Sequence, residues 1–143
     1  MPLNLALHVT MKIHVIALLF LFSALSHSGE WYEISGEVGP KIDSTVVEKD
    51  LWIYLKGKAK HEFKPKNTYR FQYKHLSKSK IFINAFCSHE SENGSKMGAF
   101  PQPDPNTLRE EIYEVFDGGA CYFSLQYDTK TGSFSKLSVN GVR

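Results

Sequence analysis

The sequence predicts an α+β fold, one helix packed on a small antiparallel β-sheet, and three observations carry that prediction. One stretch repeats its apolar residues at helical spacing, later stretches alternate apolar with polar residues, and two cysteines, Cys87 and Cys121, stand at the exit of one strand-like stretch and the mouth of another. The most pronounced block is Asp117-Gly118-Gly119-Ala120-Cys121 running directly into Tyr122-Phe123-Ser124-Leu125-Gln126-Tyr127, the pattern of a central hairpin.

The N-terminal segment is set aside before the fold is read. Met11 and Lys12 supply a basic start, residues 15–22 an apolar run, and Ser23-Ala24-Leu25-Ser26 a small-residue exit, which is the layout of a secretory signal. The run is shorter than the ~20 apolar residues a membrane span needs. Met11 fits the true start, because residues 1–10 carry no charged side chain. Ala24 and Ser26 suit the two small-residue positions before a cleavage site, giving His27 as the first mature residue; Ser26 and Ser28 are the second choice. Removal of residues 1–26 leaves 27–143 as a single domain.

Along the mature chain, Trp31 to Gly36 reads as a short first strand ended by Gly39-Pro40. Thr45-Val46-Val47-Glu48 matches a capping box, and Val47, Leu51, Tyr54 and Leu55 then share one helical face, with Glu48, Lys49, Lys56 and Lys58 outside it. The helix is expected from Thr45 to about Lys58. After Pro65 and Asn67 the period changes to two: Tyr69, Phe71 and Tyr73 alternate with polar residues, which puts these aromatics, together with Phe123 and Leu125, on the inner face of the sheet. Residues 81–87 are apolar on both parities, Ile81, Ile83 and Ala85 against Phe82 and Phe86, the mark of a central strand. Residues 88–106, rich in Gly, Pro and polar side chains, form a long surface loop. Further strands follow over 112–116, 121–127 and 134–140, with Asp117-Gly118-Gly119 and Asp128-Thr129-Lys130-Thr131-Gly132 as turns.

With exactly two cysteines in an exported chain, a Cys87–Cys121 disulfide is the expected state; neighbouring antiparallel strands bring the exit of one beside the entrance of the next. Closing that loop contributes about 3 to 4 kcal/mol in the chain-entropy account. Removal of residues 1–26 takes Lys12 with it and lowers the formal net charge from +2 to +1, a near-zero value that argues against a dedicated nucleic-acid binder, whose affinity rests on many phosphate-facing cations. Charge is nonetheless uneven. Nine cations fall between Lys56 and Lys80 against the single acid Glu62, so Lys56, Lys58, Lys60, Lys64 and Lys66 offer weak contact with an anionic surface. Ser88, His89 and Glu90 are adjacent, but neighbouring residues point in different directions and no second cluster supplies metal ligands at a known spacing. Asn93-Gly94-Ser95 fits a glycosylation acceptor in a eukaryotic host. No catalytic, cofactor or metal signature is present, and His61, His75 and His89 are ligands only if the fold gathers them.

The words F-I-N-A-F-C, D-G-G-A-C-Y-F-S-L-Q-Y-D and L-S-V-N-G resemble those of small uncharacterised exported proteins of Gram-negative bacteria, over residues 67–141. That resemblance implies an α+β fold and a periplasmic address and brings no activity. The order strand, helix, antiparallel strands is also similar to cystatin-like folds, although the inhibitory Q-x-V-x-G word is absent. The expected function is a non-enzymatic exported binding module for a protein or small ligand, with His89, Asn93, Phe100, Pro101, Pro103 and Pro105 as the candidate binding loop. The alternative is a small hydrolase or metal-dependent enzyme using His89 and Glu90.

Overall fold

The computed structural model describes residues 29–36, 39–58, 60–88, 103–116 and 118–141. The expected signal segment and the loop residues His89, Glu90, Asn93, Phe100 and Pro101 lie outside them, as does Asp117. Strand β3 (Lys80–Cys87) sets the architecture. Its Ile81, Ile83, Ala85 and Cys87 are buried on one face and Phe86 on the other, so it takes the centre of a five-stranded sheet and both faces are covered. Strands β2 (Tyr69–His75) and β4 (Tyr122–Asp128) flank it antiparallel, with Phe71 opposite Ala85 and Ala85 opposite Phe123. Strand β5 (Ser133–Val139) closes one edge through the expected hairpin. In that turn the Asp128 carboxylate accepts from the N–H groups of Lys130 and Thr131, and Gly132, at φ 67°, supplies the left-handed residue a bulged hairpin needs.

Strand β1 (Trp31–Glu33) holds the other edge, and it runs parallel to β2, with Trp31 opposite Phe71. The antiparallel sheet expected from the sequence is formed, with a parallel pairing at this one edge. The cause is the intervening helix α1 (Ser44–Lys56), which carries the chain back along the sheet so that β2 re-enters in the direction of β1. The helix begins one residue earlier than expected and ends earlier. Its cap is Asp43, whose carboxylate accepts from the N–H groups of Thr45 and Val46, so the Thr45–Glu48 capping box is not formed. Glu48 is free to turn inward and is buried there, contrary to the expected outward position. Val47, Leu51 and Leu55 face the sheet and meet Tyr69, Phe71, Tyr73, Phe123 and Leu125, the inner face expected from the period-two pattern.

The second face is covered by a segment without strand structure. Residues 112–116, expected as a strand, pair with no ladder; they follow a short helix α2 (Thr107–Glu110) and cross the sheet as an extended strap. Side-chain amides take the place of the ladder, those of Gln72 and Asn84 in the middle of the strap and that of Asn140 at the Val115 carbonyl. Gln72, wholly buried, donates to the carbonyls of Leu108 (2.7 Å) and Glu111 (2.8 Å), and its oxygen accepts from the Tyr113 N–H (2.8 Å) and from Asn84 Nδ2 (3.0 Å). Asn84 Nδ2 also donates to the Tyr113 carbonyl (2.9 Å). Beneath the strap, Leu108, Val115 and Tyr113 pack on Tyr32, Phe86 and Tyr122. The Cys87–Cys121 disulfide is formed, with Cα atoms 5.0 Å apart, at the shared end of β3 and β4. Cys121 itself lies in a short 3-10 turn (Gly119–Cys121) that replaces the first residue of the expected strand.

The amide of Gln72 satisfies four partners with no charge, so an apolar residue of equal length strands them. Gln72→Met is expected to lower unfolding free energy by about 3 kcal/mol in urea titration, the cost of buried backbone groups left without partners. A loss below about 0.5 kcal/mol would show that packing alone holds the strap.

Candidate functional site

Helix α1 has more apolar surface than the sheet uses. Val46, Lys49, Ile53 and Lys56 recur at three- and four-residue spacing and form a stripe turned away from Val47, Leu51 and Leu55. On that stripe Val46 is 51% and Ile53 62% exposed. The linker between α1 and β2 returns alongside it with Lys64 and Lys66. Between helix and linker lies an open groove of about 740 Å³, lined by Val46, Trp52 and Ile53 with Lys49, Lys56, Lys64 and Lys66 around it and with Thr45 and the mostly buried Glu48 also in its wall. This size falls within the range of small-molecule sites.

Trp52 forms the inner wall, its ring 5.4 Å from that of Tyr69. Its indole Nε1 is buried and has no hydrogen-bond partner among the described residues. The same holds for Nδ1 of His61, which lines the adjoining recess with Trp52, Leu55 and Phe63. Two donor-capable ring nitrogens without partners at one place are uncommon, because such groups are ordinarily paired.

Tyr69 links this wall to the disulfide. Its hydroxyl accepts from the Lys64 N–H (3.0 Å) and donates to the Ala120 carbonyl (2.6 Å), one residue before Cys121. Burial pushes its pKa up to about 12, against a smaller downward pull from the Lys64 N–H. The phenol therefore keeps the proton it donates.

Of the five lysines expected to meet an anionic surface, Lys56, Lys64 and Lys66 line the groove. Lys58 instead lies over the Tyr54 ring, 5.0 Å from its centre, and Lys60 is exposed outside the groove. Lys49, which the sequence marks only as a solvated helix residue, joins them. Pro103 borders a shallow recess on the strap and Pro105 is exposed, its carbonyl accepting from Arg109 Nη1; the other four residues of the candidate loop lie outside the described residues. The histidines do not gather. His61 sits beside Phe63, which packs on Phe123, whereas His75 is buried at the far end of β2 with Nε2 3.7 Å from Glu33 Oε1, and His89 lies outside the described residues. Among the described residues no three His, Cys, Asp or Glu side chains come together to hold a metal ion. No helix in this range is long and apolar enough to cross a membrane.

Sequence reasoning missed Val46, Trp52 and Ile53 as site residues. The signal was present as two branched apolar residues and an indole on the polar side of an amphipathic helix. A scan of the chain against protein-family models, curated proteins and solved structures returns no match.

The raised pKa of Tyr69 makes stability depend on pH in one direction. A folded-state pKa of about 12, above the ordinary tyrosine value of 10.0, gives stability fully present below pH 10 and lost as pH rises toward 12. Tyr73 and Tyr122, also pushed up to about 12 by burial, act in the same sense. Tyr69→Phe is expected to cost about 1–3 kcal/mol at pH 7, through the unpaired Lys64 N–H and Ala120 carbonyl, and to flatten the alkaline decline. Urea titrations at pH 7, 10 and 11.5 measure both, and an unchanged alkaline slope would contradict the assignment.

Proposed function

We propose that this protein is a small exported, non-enzymatic binding module whose recognition surface is the groove beside Trp52. The ligand it suits has an apolar body and an anionic end, a small amphiphilic carboxylate being the simplest case. The observation that supports this reading most directly is the coincidence of surplus apolar surface with positive charge: exposed Val46 and Ile53 stand between Lys49, Lys56 and Lys64. An apolar body gains about 25 cal/mol per Å² that it removes from water, and the lysines select the charged end. The disulfide, the secretory pattern of residues 11–26 and the likeness to periplasmic proteins of Gram-negative bacteria support export, with the periplasm as the proposed address. The loop 88–106 remains a second contact region in this reading.

Trp52 reports on its own groove. Titration with decanoate, followed by tryptophan emission, is expected to give a saturable change that decanol, with the same chain and no charge, matches only at concentrations at least about fivefold higher. Trp52→Phe separates this signal from that of Trp31, which is stacked on Phe71 at 4.5 Å. Lys49→Glu with Lys64→Glu is expected to abolish the preference for the carboxylate. Equal response to decanoate and decanol, or no response from Trp52, would overturn the proposal.

A further inference from the structure

Glu48 is a carboxylate in the wrong place for a helix surface residue. It is 4% exposed, and its Oε2 accepts from the backbone nitrogen of Gly29 (2.9 Å) and from the indole Nε1 of Trp31 (3.1 Å). No ion pair among the described residues reaches it; the Arg70–Glu30 pair lies elsewhere, and His75 Nε2 stands 3.7 Å from Glu33 rather than near Glu48. A buried carboxylate held only by neutral donors is costly, and burial is tolerated when a countercharge is supplied.

Gly29 is built to a close tolerance at the same point. A Cβ there would come within 2.6 Å of the Tyr69 carbonyl oxygen and 2.7 Å of the Phe71 ring, so the position admits glycine alone. The sheet starts at the next residue, where the Glu30 carbonyl accepts from the Phe71 N–H (2.8 Å). On the other side of Gly29 the sequence reads Ser26-His27-Ser28, which sets small residues one and three places before the Ser28–Gly29 bond, the requirement of a signal-cleaving peptidase.

We infer that the mature chain begins at Gly29, and that its new α-ammonium group is the countercharge of Glu48. In the cleavage, water adds across the Ser28–Gly29 amide: the C–N bond breaks, the Ser28 carbonyl carbon takes the water oxygen and leaves as a carboxylate, and the Gly29 nitrogen takes both of the water protons to become an ammonium. The hydrogen bond already present at 2.9 Å then becomes an ion pair without movement of the chain. Processing thus completes the junction between β1 and α1. Before cleavage the same nitrogen is a neutral amide, so the domain gains its full stability only once the leader is gone. Cleavage after Ser26, the first reading of the sequence, leaves two further residues between the ammonium and Glu48.

This inference rests on the export reading, and one measurement separates the two. Intact mass and N-terminal sequencing of the exported protein are expected to find Gly29 first. A first residue of His27 overturns the inference and leaves export standing; an uncleaved chain overturns both. A second measurement addresses the ion pair. Selective acetylation of the α-amine, which loses its proton at lower pH than lysine does, is expected to lower Tm by about 4 °C or more in the exported protein and to leave Glu48→Gln unchanged. Equal shifts in the two proteins would overturn the pairing.

Discussion

A central strand that is apolar on both faces must be covered twice, and most of this structure is the solution to that requirement. Strand β3 presents Ile81, Ile83 and Ala85 to one side and Phe86 to the other. The first side receives α1, an ordinary amphipathic helix whose buried stripe matches the sheet. Among the described residues, the second side receives no helix of comparable length and no second sheet. It is covered by an irregular strap, and irregular backbone laid on an apolar surface brings carbonyl and N–H groups that water can no longer reach. Gln72 and Asn84 answer this, since a side-chain amide carries both donors and acceptors and can bind backbone whose spacing fits no ladder. The middle of the third layer is therefore held by two uncharged residues on neighbouring strands, opposite each other in the β2–β3 register, while Asn140 Nδ2 and the Ser35 N–H bond the Val115 and Arg109 carbonyls at its two ends.

The same requirement explains why the groove stands out. Val47, Leu51 and Leu55 meet the sheet, and Trp52 and Tyr54 pack partly against the same core. Val46 and Ile53 are apolar beyond what the core takes up, and four lysines from two separate segments line the groove with them. Tyr69 connects this region to the rest by placing one hydroxyl between the groove linker and the turn that carries Cys121. The disulfide, the aromatic core and the groove wall are consequently one mechanical unit. The opposite end of β1 contributes differently, through the contact of Glu48 with Gly29 and Trp31.

What was legible in the sequence follows from periodicity. The alternation at Tyr69, Phe71 and Tyr73, the double-sided apolar pattern of 81–87, the helix and the cysteine pair were readable because each is a local consequence of which faces are buried. The strap was misread for the same reason. Ile112-Tyr113-Glu114-Val115 alternates as a strand does, since any extended segment with one face on a core shows period two, and the pattern does not say whether its backbone pairs with a ladder or with Gln72. Glu48 was misread because Thr45-x-x-Glu48 has the form of a capping box, while the better-placed Asp43 carboxylate takes the helix N–H groups first. A three-residue β1 carries too little pattern to announce its direction. The groove was half visible: its lysines were noticed as a charge run, but only the fold brings Lys64 and Lys66 beside a helix stripe from which Val46 and Ile53 project.

The claim on which this account turns is that a side-chain amide does the work of a missing strand, and hydrogen exchange of a single backbone group tests it most directly. The Tyr113 N–H has the Gln72 oxygen as its acceptor, 2.8 Å away. It is expected to exchange as slowly as the ladder amides of Ile83 and Leu125, opening only with global unfolding. Exchange of Tyr113 at the rate of an exposed loop, with Ile83 and Leu125 still protected, would contradict the account and leave the second face of the sheet without its fixed cover.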